Sequence, residues 1–387
     1  MFDIVILAGG MGQRLSGHLK GYPKPMVKIN NIHFLDYLLF KILRYFPPNI
    51  YIIAGYKGNL IKKKYHNKKI NISKIKVIVE KNLKGTGGAL YKVKKFIKND
   101  FFVINGDSIF DINFYDFIKK FNRKKYVGSI ALTKNYNYLD NKKLISLNLK
   151  KNSQIFFSSQ NNCSLMNGGV YFFRKIFLKY IENKNISLEN EIIPNLINKK
   201  RISGKYYNNF FLDIGTPKNL KKAKKSFRSF YKPAIFLDRD GTLNYDKKGY
   251  THKLKDLRLI KKTVNFLKNK EDFYLFIVTN QAGIAKRKFT LTDFYSFQKD
   301  LYTLLAKQNI YIDDMKFCPH HKEALIKKYR MSCKCRKPNT KMINDLLKQW
   351  PIIKNKSLMI GDSEKDHAAA KKSNLKFINC KNIKSNA

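Results

Sequence analysis

The sequence predicts an α/β protein of two domains, residues 1–230 and 231–387, each with strands and helices in alternation. Three observations support this. A chain of 387 residues is long enough for two domains with separate cores. Short apolar runs alternate with segments of helical periodicity, which favours a mostly parallel, doubly wound sheet. The alternation starts again at Ile235, after a basic amphipathic segment at 217–233 that predicts a closing helix.

In the first domain, the pattern predicts a sheet with a mixed strand direction. The segment 34–46 has apolar residues at 34, 35, 38, 39, 42, 43 and 46, a helical stripe that Pro47 and Pro48 end. Closely spaced strand-like runs between 127 and 173 predict an added antiparallel portion. The predicted strands are 2–8, 49–55, 75–80, 101–105 and 206–212, and the predicted helices are 34–46, 88–97 and 188–199.

In the second domain, the pattern predicts a parallel sheet with helices between its strands. Polar residues collect directly after the apolar runs, at the edge where such sheets bind ligands. The predicted strands are 235–237, 273–279, 315–318 and 357–360, and the predicted helices are 260–270, 291–307, 339–350 and 364–373.

The composition indicates an ordered and strongly basic protein. Apolar residues make up 44% of the chain, and 78 Lys and Arg against 27 Asp and Glu give a formal charge of +51. Such a charge is typical of nucleic-acid binders. However, Lys is spread over the whole length together with abundant Asn and Ile, which A/T-rich codons explain equally well. We therefore expect no nucleic-acid partner and a field that favours anionic small substrates.

We expect a cytoplasmic protein without a membrane partner. No apolar run approaches the roughly 18–20 residues of a membrane span, and the first ten residues lack the basic leader of a signal peptide. Three of the five cysteines lie between Cys318 and Cys335, which favours metal ligation over disulfides. Cys163 and Cys380 are expected to be core residues. The sequence does not predict the oligomeric state.

The first candidate site begins where the first predicted strand ends. The run L-A-G-G-M-G-Q-R-L contains Gly9, Gly10, Gly12 and Arg14. Glycine amides can face a phosphate closely, and Arg adds a charged fork. The run Y-P-K-P-M then holds Lys24 in a stiff extended segment, where its ammonium can neutralise a phosphate. A solvated lysine is the ordinary alternative, but the two motifs together predict a phosphate site.

These motifs resemble the signature of the sugar-1-phosphate nucleotidyltransferases, and the resemblance covers about residues 1–225. It implies a Rossmann-like mixed sheet and a reaction in which a sugar 1-phosphate oxygen attacks the α-phosphorus of an NTP, with release of pyrophosphate. Arg14 and the glycine amides would hold the triphosphate, and Lys24 would screen its charge. The mannose-1-phosphate and heptose-1-phosphate guanylyltransferases are the most similar members, which implies GTP.

The same resemblance assigns further residues in the family's order. Asp107 and Asp213 would hold Mg²⁺, although a lone Asp before a turn is often only a turn former. The remaining assignments are Gly85, Gly87 and Gly88 of G-T-G-G-A for the base, Asn167 and Gly168 of M-N-G-G-V-Y for the sugar, and Glu189 of L-E-N-E for sugar hydroxyls.

The second candidate site is the run I-F-L-D-R-D-G-T that opens the second domain. Side chains alternate along an extended backbone, so Asp238 and Asp240 are expected to point the same way. A surface turn or a calcium loop is the alternative, and the buried-strand pattern before Asp238 disfavours both.

This run resembles the signature of the haloacid dehalogenase (HAD) superfamily of phosphatases. The resemblance implies a HAD-like, doubly wound parallel sheet and an aspartyl-phosphate mechanism. It makes Asp238 the nucleophile and Asp240 the acid and base. It also assigns Thr279, Asn280, Lys337 and Arg336 to the phosphoryl group, and it assigns Mg²⁺ to Asp238, Asp362 and the carbonyl of Asp240. Ser363 is a departure, because these phosphatases often have Lys there.

A third constellation predicts a structural zinc site. C-P-H-H and C-K-C-R place Cys318, His320, Cys333 and Cys335 in two close pairs, which satisfies tetrahedral zinc. Three buried cysteines beside a surface histidine is the alternative. Four protein ligands leave no open position, so the zinc would stiffen the loop that carries Arg336 and Lys337.

The zinc loop, with G-Y-T-H and N-Q-A-G-I-A, is similar to the D-glycero-D-manno-heptose 1,7-bisphosphate 7-phosphatases over about residues 233–380. The histidinol-phosphate phosphatases rank second, because their loop between the ligand pairs is shorter. The two resemblances together imply a bifunctional enzyme that removes the 7-phosphate and then joins the heptose 1-phosphate to an NTP. The rivals are a mannose- or glucose-1-phosphate nucleotidyltransferase fused to a histidinol-phosphate phosphatase, and a basic nucleic-acid-binding or scaffold protein on enzyme folds.

Overall fold

The computed structural model describes residues 2–19, 21–29, 31–45, 47–70, 73–134, 147–157, 165–226, 231–246 and 249–383. The chain forms two compact units, residues 1–227 and 228–387, and each is described by itself. The sequence placed the boundary between residues 230 and 231, next to the segment 227–230, which lies outside the described residues. Cys163, expected in the core, also lies outside them.

The first unit is built on an eight-stranded mixed sheet, as the sequence predicts. Its centre is the buried strand Asp3–Ala8, which pairs in parallel with Phe101–Asn105 on one side and Asn49–Ala54 on the other. The predicted antiparallel portion of the sheet begins at Met166–Phe173, which pairs antiparallel with Phe101–Asn105. The strand order is Ile202–Tyr206, Gly128–Thr133, Met166–Phe173, Phe101–Asn105, Asp3–Ala8, Asn49–Ala54, Ser73–Val79 and Lys69–Ile70.

Helices cover the sheet of the first unit and bury its apolar faces. Phe34–Leu43 follows the predicted stripe and turns seven apolar or aromatic side chains inward. Gly58–Tyr65 and Phe114–Lys119 were not predicted, and the second is capped by the Asn113 side chain, which accepts from two backbone amides. The α-helices of the unit are Phe34–Leu43, Gly58–Tyr65, Gly85–Tyr91, Phe114–Lys119, Ile193–Asn198 and Pro217–Ser226.

Two predicted helices differ from the structure. The predicted helix 88–97 begins earlier and ends earlier, at Gly85–Tyr91, because the glycine-rich turn itself forms the first helical turn. The predicted helix 188–199 starts with a π-helical turn, Leu188–Ile192, before the α-helix Ile193–Asn198. The wide turn bonds Ile192 N to Ser187 O at 3.2 Å.

The predicted strand 206–212 is wrong as a single element. Ile202–Tyr206 ends as a parallel edge strand beside Gly128–Thr133. The chain then leaves the main sheet, and Phe211–Asp213 pairs antiparallel with Ser108–Phe110. The pairing with Ser108–Phe110 explains why the predicted strand is interrupted. It places Asp213 opposite Ser108, the residue after Asp107.

The second unit is a five-stranded sheet in which every pairing is parallel, as predicted. The order is Asp314–Cys318, Tyr274–Asn280, Ala234–Leu237, Leu358–Gly361 and Lys376–Asn379, so the first strand of the unit lies in the middle. The α-helices are Lys261–Leu267, Ala282–Ala285, Leu291–Ala306, Lys341–Gln349 and Glu364–Lys372. The carboxyl ends of the three central strands therefore meet around residue 238.

Among the helices that the described ranges contain, none combines the length and the apolar character that crossing a lipid bilayer requires.

Two candidate active sites

The glycine-rich turn of the first unit lies at the carboxyl end of the central strand Asp3–Ala8. Gly12 has a φ of +65°, and a Cβ there would lie 3.3 Å from the Cβ of Lys24. Glycine at this position therefore lets the lysine segment come close to the turn. Gly9 and Gly10 precede it, and Arg14 lies exposed in the 3-10 helix Gln13–His18.

Lys24 and two carboxylates form the charged centre of the first unit. Lys24 Nζ lies 2.6 Å from Asp107 Oδ2, and it is 3.3 Å from the position a Cβ would take at Gly215. The Gly215 amide donates to Asp213 Oδ1 at 2.5 Å. Burial and the neighbouring Asp107 raise the pKa of Asp213, while Lys24 opposes this shift. Two carboxylates that share one ammonium are an oxygen donor set suited to a divalent cation.

The turn Gly85–Gly88 packs on the segment 184–192. The amides of Gly87 and Gly88 donate to Ile186 O at 2.9 and 3.4 Å, so both are engaged within the protein. A Cβ at Gly85 would lie 2.5 Å from Ile186 O, and one at Gly87 would lie 2.6 Å from Ile192 Cδ1. Close packing accounts for these glycines, and their contact with a base stays a prediction.

Asn167 and Glu189 lie in one hydrogen-bonded network. Asn167 accepts from the Gly169 amide at 2.9 Å and donates to the Tyr171 hydroxyl at 2.8 Å. The Tyr171 hydroxyl lies 3.5 Å from Glu189 Oε1, and the Thr86 hydroxyl donates to Glu189 Oε2 at 2.5 Å. Gly168 is buried against Phe110, whose ring a Cβ would overlap. The structure thus brings the predicted sugar residues together.

Sequence reasoning missed Glu80, a buried carboxylate beside the glycine-rich turn. It follows the strand Ser73–Val79, and its Oε2 lies 3.1 Å from the position of a Cβ at Gly9. Glu80 is 7% exposed, and Oε1 has no hydrogen-bond partner among the residues that the structure describes. Burial raises the pKa of Glu80, and Lys92 counters it. The exposed side chain of Leu83 lies beside it, against Gly55.

In the second unit, Asp238 follows the middle strand Ala234–Leu237 and pairs with a buried lysine. Lys337 Nζ lies 2.8 Å from Asp238 Oδ1 and 2.6 Å from Asp366 Oδ1. Burial raises the pKa of Asp238 to about 7, although Lys337 opposes the shift. Burial disfavours the ammonium of Lys337, but the two carboxylates outweigh it and raise its pKa.

Three carboxylates of the second unit can hold a metal ion. One oxygen each of Asp238, Asp362 and Asp366 lies within 4.8 Å of the others. A Cβ at Gly241 would overlap the Asp362 carboxylate, so glycine is required for this approach. Burial raises the pKa of Asp362, and the charge of Asp366 adds to this shift, while Lys337 opposes it. This set of hard oxygen donors fits Mg²⁺.

The Asp240 carboxylate is held by four hydrogen bonds from neighbouring side chains. It accepts two hydrogen bonds from Arg239, at 2.9 and 2.7 Å, and one each from Asn244 and Gln281, at 3.0 and 2.8 Å. Arg239 is only 1% exposed and lies over the rings of Phe294 and Phe297. The sequence offered no signal for this clamp, because the interacting pair are chain neighbours whose side chains would ordinarily diverge.

Three of the predicted phosphate residues, Asn280, Arg336 and Lys337, line a cavity of about 300 Å³ beside Asp238, and Thr279 does not line it. Asn280 holds the backbone of Lys337 with both ends of its side chain, at 3.0 and 3.1 Å. The Thr279 hydroxyl accepts from Gln281 at 2.9 Å. Arg336 lines the cavity and donates to His320 O at 3.3 Å, which ties it to the cysteine loop.

The four predicted zinc ligands form one cluster. Cys318 Sγ lies 3.4 Å from Cys333 Sγ and 3.0 Å from Cys335 Sγ, and His320 Nδ1 lies 3.3 Å from Cys335 Sγ. Ligands 2.3 Å from a tetrahedral zinc would be separated by about 3.8 Å, so the cluster is nearly of that size. The set of three thiols and one imidazole nitrogen fits zinc.

Comparisons with known proteins match each unit to a different family. A family model for nucleotidyl transferases matches residues 4–229, and one for haloacid dehalogenase-like hydrolases matches residues 306–380. D-glycero-alpha-D-manno-heptose 1-phosphate guanylyltransferase of Campylobacter jejuni is 32% identical over 218 residues, which are 56% of this chain and 95% of the relative. The crystal structure of HddC from Yersinia pseudotuberculosis superposes with a TM-score of 0.50 at 28% identity, covering 59% of this chain and all of HddC.

Two relatives of the second unit carry the same name. D-glycero-beta-D-manno-heptose-1,7-bisphosphate 7-phosphatase of Rhodopseudomonas palustris is 41% identical over 142 residues, 36% of this chain and 78% of the relative. The protein of the same name from Escherichia coli K12 is 37% identical over 145 residues, 37% of this chain and 75% of the relative.

Proposed function

Because the chain belongs to the nucleotidyl transferase family over residues 4–229 and to the heptose-bisphosphate 7-phosphatase family in its second unit, we propose that it is a bifunctional enzyme of nucleotide-heptose synthesis. The second unit removes the 7-phosphate of D-glycero-D-manno-heptose 1,7-bisphosphate. The first unit transfers a nucleotidyl group from GTP to the resulting heptose 1-phosphate. The observation that carries the proposal is that one chain joins two units with relatives named for neighbouring sugar phosphates. The relative of the second unit is named for a manno-heptose 1,7-bisphosphate, in the β form, and that of the first unit for a manno-heptose 1-phosphate, in the α form.

In the phosphatase reaction, Asp238 is the nucleophile. Its carboxylate oxygen attacks phosphorus, and the bond from phosphorus to the sugar oxygen breaks as that oxygen takes a proton from Asp240. Water then attacks the aspartyl phosphate, gives its proton to Asp240 and releases phosphate and Asp238. The buried ammonium of Lys337, 2.8 Å from Asp238, neutralises the phosphoryl group as charge builds up. Thr279, Asn280 and Arg336 orient it.

Asp240 has to release one of its four donors before it can protonate a leaving oxygen. Arg239, Asn244 and Gln281 hold it by hydrogen bonds in this structure. We therefore infer a rotation of the Asp240 side chain upon substrate binding.

In the transferase reaction, the protein aligns two anions and spreads their charge. An oxygen of the sugar 1-phosphate attacks the α-phosphorus of GTP, and the bond to the pyrophosphate oxygen breaks. Arg14 and the amides of the turn Gly9–Gly12 bind the triphosphate, and Lys24 screens the phosphates. Glu189 and Asn167 bind sugar hydroxyls.

Magnesium and zinc complete the proposal. Asp107 and Asp213 would hold Mg²⁺ in the first unit, and Asp238, Asp362 and the carbonyl of Asp240 would hold it in the second, with Asp366 as a further ligand or its support. When bound, Mg²⁺ screens phosphate charge in both reactions. Cys318, His320, Cys333 and Cys335 would hold a structural zinc that stiffens the loop of Arg336 and Lys337.

Guanine selection is supported by Glu80. An ionised carboxylate offers two acceptors, which match the N1–H and the N2 amino group of guanine. Oε2 of Glu80 lies beside Gly9 of the glycine-rich turn, Oε1 has no hydrogen-bond partner among the described residues, and Leu83 offers an apolar surface for the face of a base. Adenine presents no such pair of donors on one edge.

Substrate profiling tests the proposal against its rival. We expect phosphate release from heptose 1,7-bisphosphate to exceed release from histidinol phosphate by orders of magnitude in kcat/KM. We also expect heptose 1-phosphate to be preferred over mannose 1-phosphate and glucose 1-phosphate with GTP. The opposite preferences would contradict the proposal and would instead indicate a hexose-1-phosphate nucleotidyltransferase fused to a histidinol-phosphate phosphatase.

A further inference from the structure

The hydroxyl of Thr86 connects the glycine-rich turn Gly85–Gly88 to Glu189. Thr86 Oγ1 accepts a hydrogen bond from the Leu188 amide at 2.8 Å and lies 2.5 Å from Glu189 Oε2. A hydroxyl has one hydrogen, and that hydrogen cannot point at the Leu188 N–H, which is itself a donor. Thr86 therefore donates to the Glu189 carboxylate, in a charge-assisted hydrogen bond.

The two oxygens of Glu189 have unequal surroundings. Oε2 takes the short bond from Thr86 and a longer one from Ser187 at 3.4 Å. For Oε1, the described ranges give one partner, the Tyr171 hydroxyl at 3.5 Å. Burial and the charge of Glu189 raise the pKa of Tyr171, so its hydroxyl stays protonated and acts as a donor. One oxygen is thus anchored, while the other keeps lone pairs for a ligand.

The backbone around Thr86 makes this anchor rigid. Ile186 N donates to Lys84 O at 3.1 Å, and Gly87 N donates back to Ile186 O at 2.9 Å. The glycines at 85 and 87 leave no room between the turn and the segment 184–192. Thr86 is consequently held against Leu188 and Glu189 by main-chain bonds on both sides.

We propose that Thr86 is a positioning residue for the sugar phosphate, which acts by holding the Glu189 carboxylate in the orientation that binds sugar hydroxyls. This rests on the proposed transferase function. It gives the turn Gly85–Gly88 a role on the sugar side of the reaction, in addition to the base contact that the sequence motif predicts. Sugar binding should depend on the Thr86 hydroxyl even though that hydroxyl does not touch the sugar.

Steady-state kinetics of Thr86→Val and Thr86→Ser in the full chain test the proposal, with GTP, heptose 1-phosphate and Mg²⁺. Valine keeps the shape of threonine and loses the hydroxyl. We expect Thr86→Val to raise the KM of the sugar phosphate about tenfold, the usual effect of losing a hydrogen bond to a charged group, with little change in the KM of GTP. Thr86→Ser should restore the wild-type KM.

A double-mutant cycle with Glu189→Gln separates positioning from a general packing defect. If Thr86 acts through Glu189, the valine substitution should cost little more in a chain that already has Glu189→Gln. Phosphatase activity of the same chain reports the concentration of the chain, and an unchanged KM of GTP reports that the first unit is folded. Three results would overturn the proposal even if the wild type is an active transferase. They are a rise in the KM of GTP instead of the KM of the sugar phosphate, a Thr86→Ser variant that does not restore the KM, and additive effects in the cycle. A wild-type chain that makes no nucleotide sugar would overturn the proposed function together with it.

Discussion

The ammonium of Lys24 lies 2.6 Å from a carboxylate oxygen of Asp107, a residue 83 positions further along the chain. The Lys24 side chain is 12% exposed, and it also lies close to Gly215, which binds Asp213 through its amide. The lysine therefore lies beside Asp107 and close to the segment that carries Asp213, and the family resemblance assigns both carboxylates to Mg²⁺.

Removal of this ammonium should have opposite effects on metal binding and on catalysis. In Lys24→Met, Asp107 and Asp213 lose a competing cation, so we expect Mn²⁺, measured by isothermal titration, to bind more tightly. The transferase rate should fall about 100-fold, because a charge aimed at the phosphates is lost. Lys28→Met, at an exposed lysine in the same segment, is the control and should change neither quantity. Weaker metal binding in Lys24→Met would contradict this account of the pair.

Glu80→Gln should weaken the choice of guanine. The glutamine amide offers one acceptor and one donor where the carboxylate offers two acceptors, so it cannot satisfy both guanine donors. We expect the ratio of kcat/KM for GTP over ITP, which lacks the N2 amino group, to fall at least tenfold. Glu182→Gln, at a side chain 63% exposed, is the matched control. An unchanged ratio would remove Glu80 from base selection.

The pKa of Asp238 predicts a pH dependence of stability in magnesium-free buffer. An unfolded Asp titrates near a pKa of about 3.9, and burial raises the folded pKa of Asp238 to about 7. The folded state thus favours the protonated carboxyl. Its stabilising contribution is complete below pH ~4 and is lost as the pH rises to ~7. The difference in melting temperature between Asp238→Asn and the wild type should therefore grow over this range and then level off; a constant difference would contradict it.

The cysteine cluster predicts a separable effect on one activity. Cys335→Ser should lose about one equivalent of zinc by elemental analysis, because three ligands hold zinc poorly. The phosphatase rate should fall, since Arg336 and Lys337 follow Cys335 directly, whereas the transferase rate should not change. Cys380→Ser removes a thiol outside the cluster and should keep its zinc. Full zinc occupancy in Cys335→Ser would exclude this residue as a ligand.

The strands that carry the sites were predictable, because each is a short buried apolar run followed by polar residues. The predicted strand 101–105 has the observed bounds, and 2–8 and 49–55 differ from Asp3–Ala8 and Asn49–Ala54 by one residue each. Parallel pairing then brings their carboxyl ends to one edge. The acidic pair Asp238 and Asp240 could be found this way, because it directly follows a buried apolar run, whereas Asp107 and Asp213 were assigned by the family resemblance.

Side-chain partners were not predictable, because tertiary packing chooses them. The sequence shows that Arg239 precedes Asp240. The clamp also needs Gln281, which directly follows the strand Tyr274–Asn280, and two aromatic rings of the helix Leu291–Ala306. The break after Tyr206 likewise depends on Ser108–Phe110, which pairs with Phe211–Asp213. Glu80 lies in no recognised sequence motif, and its burial beside Gly9 is what identifies it as a candidate site residue.

The order of the two reactions is the central claim, and ³¹P NMR of purified chains with heptose 1,7-bisphosphate, GTP and Mg²⁺ tests it most directly. The wild type should form GDP-heptose and free phosphate, and Asp107→Asn should stop at heptose 1-phosphate. Asp238→Asn should leave the bisphosphate intact and still convert added heptose 1-phosphate. A GDP-heptose that retains its 7-phosphate in the Asp238→Asn reaction would contradict the account.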